Sequence, residues 1–282
     1  MKCSKCKKEA VIFRKYEGRA LCRKHFLDSL DKTVRKTIRL KGMLPRGSHV
    51  ACAVSGNSSS MLLLFELHKL NKIRQDLKIS AIIADEGMKG FRKKTADSLK
   101  KYTKELGILL HEISYKEIFG VSLEEAVSKI RDKAHKTGDA DVCAYCRSMR
   151  TLAINKKAGE LGADKIALAS SMDDEIQNIT AEYFGYRACA EVDFLKLNFE
   201  FKGPTLPVIK PVSEIPEDEA RLFAKLKSLG TGHVECEYAQ SSFKSRVKDI
   251  LDRLEAKHSG IKFNVLRMNQ KTEIALENIK KV

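Results

Sequence analysis

The chain has 282 residues, 43% of them hydrophobic and 32% charged, a composition that can bury a core and excludes an intrinsically disordered protein. Lys and Arg number 53 against 37 Asp and Glu, a net charge of +16, which suits a polyanionic partner such as nucleic acid or, more blandly, a basic surface kept for solubility. No apolar run reaches the roughly 18–20 residues of a membrane span, and Met1-Lys2-Cys3-Ser4-Lys5-Cys6 has no signal-peptide core, so a cytoplasmic protein with no membrane partner is expected.

In a reducing cytoplasm, close cysteine pairs read as metal ligands or redox groups and not as disulfides. Eight cysteines stand at 3, 6, 22, 52, 143, 146, 189 and 236. At the N-terminus Cys3-x-x-Cys6 is followed, fifteen residues on, by Cys22-x-x-His25. Four soft ligands in two tight turns match a closed tetrahedral zinc site, structural and not catalytic. The strand-like runs Ala10–Phe13 and Arg19–Leu21 flank Glu17-Gly18 and form a ribbon too small to fold on apolar burial, so metal binding supplies its folding energy. Apolar residues at Leu27, Leu30, Val34, Ile38 and Leu40 then predict a basic amphipathic helix, ended by Gly42, Pro45 and Gly47.

From there short apolar runs alternate with helical patterns. Strands are expected at His49–Val54, Ile79–Ala84, Ile108–Ser114 and Lys165–Ala169. Helices are expected at Met61–Leu70, Thr95–Leu106, Leu123–His135, Met149–Leu161 and Asp174–Phe184. This alternation predicts an α/β fold, a doubly wound parallel sheet covered on both faces. Beyond Val212 only helical segments follow: Glu217–Leu229, Ser242–Lys257 and a basic tail from Asn264 to Lys281. The expected organisation is a zinc ribbon (1–30), a linker helix (31–48), an α/β domain (49–212) and a helical C-terminal region (213–282).

In such a sheet ligands sit at the carboxyl ends of the strands. The first strand ends in Ser55-Gly56-Asn57-Ser58-Ser59-Ser60 and runs into a helix, a small-residue turn that can present N–H groups and hydroxyls to an anion. It is neither a Walker A loop nor a G-x-G-x-x-G turn, and an N-capping serine cluster reads equally well. The second strand ends in Asp85-Glu86-Gly87 and the fourth leads to Asp173-Asp174. Carboxylates there suit Mg²⁺ beside a phosphate, or simply a helix N-terminus. Cys143-Ala144-Tyr145-Cys146 has no second two-ligand half. Cys52 and Cys189 lie in apolar surroundings and read as small buried residues, which leaves Cys236, in the polar Glu235-Cys236-Glu237-Tyr238, as a third partner. Three thiolates could hold an iron–sulfur cluster with one open iron, or form a redox pair with a helper, and an inert pair is the remaining alternative.

Together these motifs resemble the PP-loop ATP pyrophosphatase family and, within it, the tRNA 2-thiolation enzymes. The likeness spans nearly the whole chain. It is carried by the ribbon ligands, by Ala53-Val54-Ser55-Gly56, Asp85-Glu86-Gly87 and Cys143-Ala144-Tyr145-Cys146, and by Asn155-Lys156-Lys157-Ala158 and Gly162-Ala163-Asp164-Lys165. Met172-Asp173-Asp174-Glu175, Ile209-Lys210-Pro211, Glu214-Ile215-Pro216 and Glu235-Cys236-Glu237-Tyr238 complete it. The resemblance implies an enzyme that adenylates a tRNA uridine or cytidine carbonyl oxygen with ATP and replaces it by sulfur. It implies that Cys143, Cys146 and Cys236 hold a 4Fe-4S cluster. ATP would bind at Ala53, Val54, Ser55, Gly56, Ser60 and Asp85, with Asp173 or Asp174 on Mg²⁺ or in acid–base work and Arg150 as an electrophilic helper. The implied partners are tRNA, ATP and a sulfur donor, either sulfide or a sulfur-carrier protein, and such enzymes are often homodimers.

The chain departs from this pattern at the ATP site. Asn57 and Ser59 stand where the usual Ser-Gly-Gly-x-Asp-Ser loop has Gly and Asp, and Ala169-Ser170-Ser171 replaces Gly-His-Asn. Asn57 tolerates a positive φ and could preserve the cradle; Ser59 offers no carboxylate. No second ligand set like that of the family's C-terminal zinc ribbon is read in these residues. Three readings follow: a divergent thiolation enzyme, a non-adenylating paralogue that binds tRNA or a partner subunit, and an ATP-independent iron–sulfur enzyme that handles sulfide.

Overall fold

The computed structural model describes residues 1–88, 93–134, 142–184, 205–231, 236, 238–239 and 242–279, the side chains at 93–94, 129–134, 144 and 277 excepted. Expectations for His135, Cys189, Glu235, Glu237 and Lys281 lie outside the described residues.

The N-terminal hairpin pairs β1 (Ile12–Arg14) antiparallel with β2 (Arg19–Leu21). The turn between them needs Gly18, whose φ of 62° is left-handed. α1 (Arg23–Leu40) starts four residues before the expected Leu27, because Cys22-x-x-His25 is itself its first turn, with Cys22 at the N-cap. Phe26, Leu30, Val34 and Ile38 recur every fourth residue and are buried, so the stripe lies on the main core.

The sheet has five parallel strands in the order β5 (Leu109–Ser114), β4 (Lys78–Asp85), β3 (His49–Ala53), β6 (Lys165–Leu168), β7 (Val208–Ile209). This is the doubly wound parallel sheet that the alternation predicted. All five residues of β3 are buried. Val50 and Cys52 face a layer formed by α1, α2 (Ser58–Arg74), α3 (Lys93–Leu106) and α8 (Glu217–Leu226). Ala51 and Ala53 face the opposite layer of α4 (Tyr115–Phe119), α5 (Leu123–Ala134) and α6 (Val142–Glu160). A strand covered on both faces loses the polar alternation of a half-exposed one, which is why it reads as a continuous apolar run.

α7 (Met172–Tyr183), α9 (Phe243–Lys257) and α10 (Ile261–Ile279) close a separate apolar cluster on Met172, Ile176, Val247, Leu251 and Leu266. The ribbon is anchored to this C-terminal region. Arg14 Nη2 lies 2.6 Å from Glu219 Oε2, the Tyr16 hydroxyl donates to Glu219, and the Tyr16 ring sits 4.2 Å from that of Phe263. Two elements go beyond the sequence reading: the two-residue edge strand β7 and the one-turn α4, both too short for a periodic signal. The third difference is α6, which starts at Val142 and not Met149, so Cys143 and Cys146 lie on the helix, three residues apart on one face.

Candidate functional site

The first donor set is the ribbon. The Cys3, Cys6, Cys22 and His25 donor atoms all lie within 4.8 Å of one another. Cys6 and Cys22 sulfurs are 3.7 Å apart, and His25 Nδ1 lies 3.3 Å from Cys3 and 3.5 Å from Cys22. A tetrahedron with bonds of about 2.3 Å has edges of about 3.8 Å, shorter where nitrogen replaces sulfur, so the set fits a single tetrahedral ion. Burial would raise the Cys3 thiol, but the Lys5 and Cys22 N–H groups and His25 hold it at about 6, whereas the Cys6 thiol, its Lys8 N–H contact outweighed by burial and the neighbouring Cys22 and Cys3 thiols, is raised.

The second set lies at the carboxyl end of the sheet, where the strand order reverses between β3 and β6. Ala53 ends β3, and Val54 N donates to Ile82 O at 3.0 Å. Gly56 carries the left-handed φ of the turn, 79°, and a Cβ there would stand 2.8 Å from Thr95 O. Asn57 does not use the positive φ it can tolerate: it is extended (φ −77°) and is the N-cap of α2, its side chain accepting from Ser60 N at 2.8 Å. Ser60 Oγ in turn accepts from Ser55 N at 3.0 Å. The loop is thus braced by its own side chains, with Ser58, Ser59 and Ser60 buried in the first turn of α2. Asp85, at the end of β4, is exposed and accepts from Gly87 N at 2.9 Å.

The acidic pair after β6 is held within the protein. Asp173 Oδ1 pairs with Lys262 Nζ at 2.5 Å, and its Oδ2 accepts from Glu217 N at 2.7 Å. Asp174 forms a capping box with Ser171 and pairs with Lys244 Nζ at 3.1 Å. Burial would raise the Asp174 carboxyl, but Lys244 and Ser171 hold it below the usual carboxylate range. Lys244 and Lys262 come from α9 and α10, some 70 and 89 positions along the chain, and no local pattern announces them.

The third set surrounds the start of α6. Cys143 Sγ donates to the Tyr238 carbonyl at 3.3 Å, which docks the segment carrying Cys236 against the helix. Cys146 lies one turn on, near enough to Cys236 for the two to couple electrostatically, and its thiol is raised chiefly by burial. The Tyr115 hydroxyl donates to Cys146 O at 2.9 Å. Arg150 Nη2 stands 2.8 Å from Glu86 Oε1 and 3.3 Å from Cys146 Sγ. The structure therefore brings Cys143, Cys146, Cys236 and Arg150 together, and adds Tyr115, which sequence reasoning did not single out, and the fully buried Glu86, which it read only with Asp85 as a carboxylate suited to Mg²⁺. The only signal for Glu86 was its place beside Asp85 at a strand end. Among the described residues only the ribbon four lie within the span of a single ion. Cys52 is in the core, its thiol pushed up to about 12 by burial, and is remote from this chemistry in kind.

Charge is concentrated at the N-terminus. Residues 1–41 hold fourteen Lys and Arg against four Asp and Glu, +10 of the chain's +16. All but Arg14 and Arg35 of these cations are exposed, and Phe13 stands among them 47% exposed. Among the described residues no helix is long and apolar enough to cross a membrane.

Comparison with known proteins agrees with this layout. A family model described as the N-terminal LIM domain of 2-thiouridine synthetase TtuA matches residues 2–27. The chain is 29% identical over 278 residues to the tRNA 2-thiolation protein NcsA of Haloferax volcanii, covering 94% of this chain and 85% of that one. It is 29% identical over 277 residues to a tRNA-5-methyluridine(54) 2-sulfurtransferase of Pyrococcus horikoshii, covering 95% and 81%. The solved U34-tRNA thiolase NcsA of Methanococcus maripaludis, with its [4Fe-4S] cluster, superposes with a TM-score of 0.79 at 30% identity, over 96% of this chain and 87% of that one.

Proposed function

The chain belongs to the PP-loop tRNA 2-thiolation family, and on that premise we propose that it replaces the C2 oxygen of a tRNA uridine or cytidine by sulfur, using ATP to activate the oxygen. The observation that carries the reading is the convergence of Cys143, Cys146 and Cys236 at the start of α6, beside the carboxyl end of the sheet. Three thiolates converging at one place fit a 4Fe-4S cluster. Held there, such a cluster would supply an open iron for sulfide, and Cys143, Cys146 and Cys236 would be its ligands. Arg150 places a cation beside Cys146, where it can stabilise charge developing on the substrate oxygen. A urea-like carbonyl is a poor electrophile, and a phosphate ester on its oxygen makes that oxygen a leaving group. The cradle for the nucleotide is the Ser55–Ser60 loop, in which the tight approach of Gly56 to Thr95 leaves no room for a side chain. Cys3, Cys6, Cys22 and His25 would hold zinc and keep the ribbon folded. The ribbon and α1, with Phe13 exposed among cations, would take the tRNA backbone and an unstacked base.

One observation favours a second reading, the non-adenylating paralogue. Ser59 supplies no carboxylate, and the oxygens of the acidic pair are engaged within the protein, those of Asp173 by Lys262 and Glu217 N and those of Asp174 by Lys244 and Ser171. Calorimetry of anaerobically purified protein with Mg·ATP, with and without tRNA, separates the two. Micromolar binding, followed by thiolated nucleosides in digested tRNA, is expected for the first. Binding of tRNA with no binding of ATP would sink it in favour of the second.

A further inference from the structure

We infer that Glu86 is a positioning residue: it aims the Arg150 guanidinium at the sulfur of Cys146 and so tunes the iron–sulfur group that the three cysteines hold. This rests on the reading above that Cys143, Cys146 and Cys236 hold such a group.

Glu86 is fully buried just past the end of β4, and its carbonyl accepts from Leu123 N at 2.8 Å, which fixes its backbone at the start of α5. A buried carboxylate is costly unless paired with a cation. The cation supplied is Arg150, whose Nη2 lies 2.8 Å from Glu86 Oε1. The same Nη2 is 3.3 Å from Cys146 Sγ, so one nitrogen serves the carboxylate and the sulfur together. The guanidinium is a rigid planar fork, and a pinned nitrogen restricts the orientation of the whole group. Arg150 Nε is buried with no hydrogen-bond partner, so the group is held in place despite leaving a donor unsatisfied. The Tyr115 hydroxyl donates to the Cys146 carbonyl at 2.9 Å and stands 3.9 Å from its sulfur. Hydrogen bonds to ligand sulfurs set the potential of an iron–sulfur group. Because Glu86 and Arg150 nearly cancel in charge, what reaches the sulfur is chiefly the directed hydrogen bond.

The length of the side chain at position 86, more than its charge, is therefore what matters. Glu86→Asp keeps the charge but withdraws the carboxylate by one methylene. Glu86→Gln removes the charge but keeps an acceptor oxygen in place. The measurement is the reduction potential of the reconstituted protein by spectroscopically monitored redox titration, with iron and sulfide content determined for each variant. Losing one charge-assisted hydrogen bond to sulfur changes the reduction equilibrium about tenfold, or 59 mV for one electron. Glu86→Asp should lower the potential by about that amount, and Glu86→Gln should not lower it. Arg150→Lys, which keeps the charge and loses the fork, should lower it similarly, and the double variant Glu86→Asp/Arg150→Lys no further, because both act through one contact. If Glu86→Asp fails to hold a cluster, Arg150→Lys carries the same test. A wild-type potential in both Glu86→Asp and Arg150→Lys, or a drop in Glu86→Gln, overturns the inference. A wild-type protein that takes up no cluster overturns the underlying reading as well, and its iron and sulfide content reports that separately.

Discussion

Glu66 offers the sharpest quantitative test of the packing around α2. Its side chain is 4% exposed, its Oε2 has no hydrogen-bond partner, and it faces Asp31 and Arg35 from α1, Lys69 from its own helix and Tyr102 from α3. Burial, then the neighbouring Asp31, raises its carboxyl from an ordinary 4.5 to about 8. Below pH 4.5 the folded and unfolded chains both carry the proton and Glu66 costs nothing. Between 4.5 and 8 the unfolded chain releases a proton that the folded chain keeps, so stability falls with rising pH by about 1.4 kcal/mol per unit. Above pH 8 the folded carboxyl ionises too and the penalty levels off. At pH 7 the penalty is about 3 kcal/mol. Glu66→Gln has nearly the same shape, can donate to Asp31 as the protonated acid does, and never ionises. Urea unfolding of both proteins across pH 4.5 to 8 should show equal stability at the acid end and a gain for Gln of about 3 kcal/mol near neutrality. A difference that stays constant with pH, or a loss for Gln at neutral pH, would refute the assignment of a proton to Glu66.

Cys236→Ala should abolish the brown absorption of the anaerobically reconstituted protein; an unchanged spectrum would remove Cys236 from the cluster. Lys262→Met should leave Asp173 buried opposite an apolar side chain and cost about 3 kcal/mol in urea unfolding, whereas an unaffected midpoint would mean that the pair contributes little. Ser59→Asp should tighten Mg·ATP binding about tenfold in calorimetry; equal binding would mean that the loop and the lysine-held Asp173 have been remodelled beyond that one carboxylate. Neutralising Lys8, Lys24, Lys32 and Lys36 together should weaken tRNA binding and flatten its salt dependence, each lost phosphate contact removing about 0.7–0.9 from the logarithmic slope. A slope equal to that of the parent protein would place the RNA elsewhere.

Much of this architecture is local and therefore legible along the chain. The ribbon ligands lie in two tight turns, so spacing alone identifies them, and the donor atoms do meet within 4.8 Å. The parallel sheet is legible because strands covered on both faces are continuous apolar runs, as at His49–Ala53, separated by helical periods. The PP-loop was located by its strand–turn–helix context, although its conformation was not: the left-handed residue is Gly56 alone, since Asn57 gains more by capping α2. Cys143 and Cys146 were found by spacing but misplaced before their helix, because a thiol pair interrupts no period and adds none.

What the sequence by itself determined is therefore what neighbours in the chain decide: the ribbon ligands, the alternation of strands and helices, and the excess of positive charge. Tertiary structure alone decided the rest. It gave Asp173 and Asp174 lysine partners from α9 and α10, set Glu219 against Arg14 across 205 positions, and closed the line from Glu86 through Arg150 to Cys146. The reason is that a buried charge must find an opposite charge or a donor, and folding supplies it from whichever element packs nearby, irrespective of distance along the chain.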